Sequence, residues 1–273
     1  MNIQHHETKG KGLLWAARPL LLAASLVILC ATGLFAAQAA PAKQAAAPQY
    51  TAQQKEFMAT LDKLIAEQNY PLFMQTITMA DSNDMVNAAL DWGKTRTLEG
   101  AGVVVPATYA ALLWATAEVD KNDATLRNTS ALMAMYAILV VAADGPKCAD
   151  PTAPEHHMNN MLLQYQRQLD AVAALPADQK RMAIEMAVNL ERRIAPKRKN
   201  DKYLCRFGEQ EQADIAKKAD PASKQPAKQP AKQTVLDYTP QFRPREQWEP
   251  EQTTKRAAFT EFLNTLFKTA PAK

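Results

Sequence analysis

Beyond residue 40 this chain has only three serines, Ser82, Ser130 and Ser223, and two histidines, His156 and His157, which stand side by side. A Ser-His-Asp arrangement would have to draw its base from that one pair, and no nucleophile elbow frames any of the serines. Strand signals are as scarce. No stretch keeps up an apolar–polar alternation, and Val103 to Val105 is the one run of three valines. A phosphate loop is missing too: Gly93-Lys94-Thr95 has no glycine five residues earlier, where the Gly-x4-Gly-Lys pattern needs one. These absences point to an all-α protein and away from nucleotide and serine chemistry.

What is present begins with the compartment. Lys9, Lys11 and Arg18 precede an apolar run from Leu20 to Phe35, and small residues follow. This is the order of a secretory signal peptide over residues 1–39, with Ala37-Gln38-Ala39 as the cleavage triplet. The alternative is an uncleaved signal anchor, since Leu20 to Ala40 reaches roughly the 20 residues that a bilayer span needs. Either way the rest is exported: periplasmic or secreted, or anchored to the inner membrane with the domain outside the cytoplasm. The leader takes three of the 32 basic and one of the 28 acidic residues, so the remainder is near charge balance and does not suggest nucleic acid.

After a spacer over residues 40–50, helix signals run in series through a domain spanning 51–210. Thr51 and Gln54 make a capping box, and Phe57, Met58, Leu61, Leu64 and Ile65 form a stripe. Pro71 opens a second helix. Ser82 or Asp81 caps a third, which Gly93 is expected to end, leaving residues 93–105 as a loop. Two apolar helices, 106–119 and 125–143, come next. The second is apolar almost all round, as a helix at the centre of a bundle is. Thr152 and Glu155 give another capping box for a sixth helix reaching Ala174. A seventh runs to Ala195 with Ala183, Met186, Ala187, Leu190 and Ile194 inward. About seven antiparallel helices form a bundle or stacked hairpins. The segment AALDWGKTRTLEGAGVVVPATYAALLWA resembles tetratricopeptide and Sel1-type repeats, which implies hairpin stacking.

The tail changes in kind. Residues 196–202, PKRKNDK, read as a solvated basic run, and GEQEQADIAKKAD allows a turn or two of helix. A Pro/Lys/Gln-rich linker is expected over 211–250, with the KQPA unit twice in succession, and prolines break the stretch that follows. A C-terminal amphipathic helix then occupies 251–270. Phe259, Phe262, Leu263, Leu266 and Phe267 share one of its faces, which must dock on the chain's own domain, on a partner or on a membrane.

Two cysteines in an exported chain most often pair. Cys148 precedes the sixth helix and Cys205 follows the seventh, so an antiparallel hairpin brings them to one end, and the bond would add roughly 4 kcal/mol. No zinc spacing joins Cys148, the histidines and Cys205. His156 and His157 read as surface residues near a helix cap, and no metal or cofactor is expected. The expected function is a non-catalytic module binding another envelope or secreted protein through the helical domain or the C-terminal helix. The alternatives are a helical cell-wall hydrolase using a carboxylate, with Glu99 the one weak candidate, and a small-molecule site between the helices of 106–143.

Overall fold

The computed structural model describes residues 49–119, 123–218 and 238–268. The expected leader and the middle of the linker, 219–237, lie outside them. Among the described residues there are eleven α-helices and no strand beyond an isolated bridge. The all-α fold class expected from the sequence is what is observed.

The N-terminal helices start where their caps say. Thr51 Oγ1 accepts from Gln54 N at 3.2 Å and Gln54 Oε1 accepts from Thr51 N at 2.8 Å, which opens α1 (Ala52–Ala66). Asn69 caps α2 (Tyr70–Thr78), with Pro71 in its first turn, and Ser82 caps α3 (Asn83–Leu98). Helix α3 does not stop at Gly93 but continues to Leu98, so the expected loop is six residues shorter at its start. Gly93 is bare for packing: a Cβ there would sit 3.0 Å from the Tyr109 ring. The helix ends instead at Gly100, whose φ of +90° and closeness to the Lys197 backbone both require glycine.

Helix α4 (Val104–Val119) leads to α5 (Ala124–Asp144), whose residues from Ser130 to Asp144 are buried with little interruption. By length and composition Ala124–Lys147 would suit a membrane span, but most of it is enclosed by its own domain. Helix α5 is the axis. It packs against α4, α6 (Thr152–Gln164), α7 (Gln166–Ala173), α8 (Ala177–Ile194) and α10 (Arg245–Ala257). In a repeat array each hairpin meets only its sequence neighbours, so one helix touching five others is the arrangement of a bundle.

Four details depart from expectation. The single sixth helix is kinked into α6 and α7 at Tyr165, where the buried ring donates its hydroxyl to Ala107 O on α4 at 2.8 Å. On α8 the buried residues are Ile184, Ala187, Val188, Glu191 and Ile194, whereas Met186 is 46% exposed. That arc is turned because α8 is covered by α5 and also by α11 (Phe259–Lys268). The stretch 211–250 is helical at both ends, in α9 (Glu209–Lys218) and in α10. Helix α10 also runs through Pro250, two residues before Gln252 fixes it to α5.

Candidate functional site

The predicted disulfide is present. Cys148 and Cys205 are joined with a Cα–Cα distance of 5.1 Å, and both are buried. The bond ties the turn after α5 to the segment before α9. Polar contacts repeat the connection. The Asp150 carboxylate accepts from Thr152 N and from Gln210 N, each at 3.0 Å, and Thr152 Oγ1 accepts from Glu209 N at 2.8 Å. The expected Thr152–Glu155 capping box is therefore not formed: Pro151 takes the cap position without a side-chain bond, and the Thr152 hydroxyl serves the start of α9 instead. Burial raises the Asp150 pKa, but hydrogen bonds from the Thr152 hydroxyl and from the Gln210 and Thr152 N–H groups outweigh it and hold the carboxyl below its ordinary value.

Between the cysteine and α9 the chain makes an unusual turn. Phe207 has φ +69°, a left-handed conformation that a bulky side chain adopts only when its surroundings enforce it. The constraints are visible. Glu211 accepts from Phe207 N at 2.6 Å while pairing with the buried Arg206 guanidinium, which lies 5.3 Å from the Phe207 ring centre. The ring itself remains 37% exposed.

Phe207 stands at the mouth of a cleft of about 320 Å³ between α2, α4 and α6. Behind it the rings of His157 and Tyr203 pack at 4.7 Å, each 5.8 Å from Phe207. Met74 and Met161 form the sides, and Asn160 and Gln164 the edge. Here the sequence reading of the histidines needs correction. His156 is exposed and accepts from Asn160 Nδ2 at 2.8 Å, but His157 is only 4% exposed, its Nε2 3.0 Å from Tyr203 O. Burial pushes the His157 pKa down to about 4, against the opposing pull of the Tyr203 carbonyl, so the ring is neutral near pH 7 with Nε2 as the donor.

The C-terminal helix lies elsewhere. Phe259, Leu263 and Phe267 are buried in the main core, and Phe262 and Leu266 pack partly against it, so this face is spent on α7 and α8. The preceding helix brings polar anchors. Gln252 Nε2 donates to Ala143 O at 3.0 Å and to Asp144 Oδ1 at 2.9 Å, and Arg256 donates to Glu191 at 3.2 Å. Beneath them Arg198 bridges Asp144 at 2.7 Å and Glu191 at 2.5 Å, with Lys147 also on Asp144. The basic run 196–202 is thus not wholly solvated, because Arg198 turns inward to two buried carboxylates. Burial alone would raise the Asp144 pKa, but Arg198 and Lys147 together bring it below the usual carboxylate value.

Glu99 is the C-cap residue of α3, exposed, and 2.5 Å from Arg96, which also grips Asp62. It lines neither this cleft nor the larger groove of about 520 Å³ between α6 and α10–α11. Among the described residues no three of His, Cys, Asp and Glu converge as metal ligands. Sequence reasoning passed over Met74, Tyr203 and Phe207. A signal for two of them existed, since Cys205 lies between Tyr203 and Phe207 and its bond to Cys148 carries both rings toward the start of α6. Comparison with protein-family models, curated proteins and solved structures finds no match to this chain.

Proposed function

We propose that this chain is an exported, non-catalytic helical protein that binds another envelope or secreted protein through its helical domain. The observation that carries the reading is Phe207: an aromatic ring held in a strained backbone conformation by a disulfide neighbour and a buried ion pair, yet left partly in solvent. Strain of about 1–3 kcal/mol persists only where the surroundings over-determine it, and such residues gather at binding sites. Aromatic rings beside well-packed pockets are the usual anchors of protein interfaces. Met74, 36% exposed on α2, adds apolar surface at the cleft.

Three further features agree with this reading. The disulfide suits an oxidising compartment, as does the leader read as a signal peptide or anchor. The C-terminal helix uses its apolar face internally, which leaves the helical domain as the binding surface. Glu99, paired with Arg96 outside both clefts, gives the carboxylate-hydrolase alternative no support. The test is affinity capture from envelope extract and culture fluid, comparing the intact oxidised chain with Phe207→Ala and Met74→Ala. Proteins retained by the former and lost from both variants are expected. A retained set that is the same for all three folded proteins would sink the proposal.

A further inference from the structure

The cleft's lining also specifies its occupant, on the reading that the helical domain binds a protein. We infer that the cleft beside Phe207 receives one uncharged aromatic side chain of the partner. Size is the first argument: about 320 Å³ lies at the small end of ligand sites, which span roughly 300–1,000 Å³, and suits one ring rather than an extended ligand. Charge is the second. The lining contains no Asp, Glu, Lys or Arg. A buried ion would lose its hydration there and find no counter-charge.

The aromatic rings have the composition of a cage for an ammonium group, but two observations oppose it. Such a cage gains from a nearby carboxylate, but Glu211 is committed to Arg206 and to Phe207 N, and Asp201 is committed to Val103 N and Tyr203 N. The Arg206 guanidinium already covers one face of the Phe207 ring, which leaves less π surface for a second cation. An anion fares no better, because that same guanidinium is neutralised by Glu211. A neutral ring gains on every side. The sulfurs of Met74 and Met161 suit an aromatic edge, and the Tyr203 and Phe207 rings offer tilted contacts. The Asn160 and Gln164 side chains, carbonyl and amide both, can meet a polar ring edge such as an indole N–H.

Indole serves as the probe, with tryptamine as its cationic and indole-3-acetate as its anionic counterpart, followed by amide chemical shifts of the intact oxidised protein. Indole is expected to move the signals of His157, Asn160, Tyr203 and Phe207, and to bind at least about tenfold more tightly than either charged analogue. Asn160→Asp, at an exposed helical position that leaves the fold unaltered, should weaken indole and shift preference toward tryptamine. Shifts elsewhere, equal binding of the charged analogues, or no effect of Asn160→Asp would overturn the inference. A second arm separates it from the functional reading: indole should compete with capture of the partner. Capture that depends on Phe207 but resists indole removes the aromatic occupant and keeps the interaction. If indole binds while capture ignores both it and Phe207→Ala, the cleft belongs to a free small aromatic and both readings fall.

Discussion

Two segments follow the last helix of the central bundle, and they are held down by opposite means. The C-terminal pair α10–α11 is secured by apolar burial, with Phe259, Leu263 and Phe267 sunk into the core and Gln252 and Arg256 as polar pins. The segment 203–211 is secured by a covalent bond, the Asp150 and Thr152 caps and the Arg206–Glu211 pair, and it keeps an aromatic ring in solvent. Aromatic content alone would have placed function in the first. The second holds the candidate site, because a ring already committed to a core has nothing left to offer a partner.

The contrast can be broken in order of effect. Replacing both cysteines, in Cys148→Ala/Cys205→Ala, removes loop closure and should cost about 4 kcal/mol in denaturant unfolding, with loss of the cleft as the segment relaxes. A change under about 1 kcal/mol would mean the caps alone hold it. Leu263→Ala, at a fully buried site, should cost about 3 kcal/mol through lost burial and a cavity, yet leave indole binding intact in the folded protein. Impaired binding in that variant would show the two segments to be coupled.

Next comes pH. His157 has its pKa lowered in the folded state, to about 4. The unfolded chain therefore takes up the proton first, near its ordinary value of about 6.5. Stability from the neutral buried ring is complete above that value, declines as pH falls toward 4, and changes no further below it. The loss is of the order of 3 kcal/mol, absent in His157→Gln, and urea titrations between those pH values measure it. The smallest effect is the sharpest. Phe207→Gly relieves the left-handed backbone but forfeits the ring's contacts, so stability should move by less than about 1 kcal/mol while binding at the cleft is abolished. A large destabilisation would make Phe207 a structural ring after all.

Local patterns carried much of the fold. The caps at Thr51 and Ser82, the buried run in α5 and the cysteine pairing each involve residues near in sequence or brought together by a single hairpin. What failed depends on partners far along the chain. Gly93 has the look of a helix end, but Tyr109 requires its missing Cβ. Thr152 has the spacing of a capping box, but its hydroxyl oxygen accepts from Glu209 N. Arg198 sits in a basic run, but Asp144, 54 positions earlier, draws it inside. The cleft was invisible for the same reason: its walls come from α2, α4, α6 and the 203–207 segment, and its lining side chains are unremarkable one at a time.

One consequence concerns timing. Residues 241–243 pair with the backbone at Lys147 and Ala149, one on each side of Cys148, and Phe259 closes the groove beside it. A chain emerging from its N-terminus brings both cysteines out before residue 238, so the thiols can be oxidised while still open to an oxidant. When the last helices arrive they seal the finished bond from reductants. Assembly thus has a preferred chronology, in which residues 238–268 act as a seal over a step already completed.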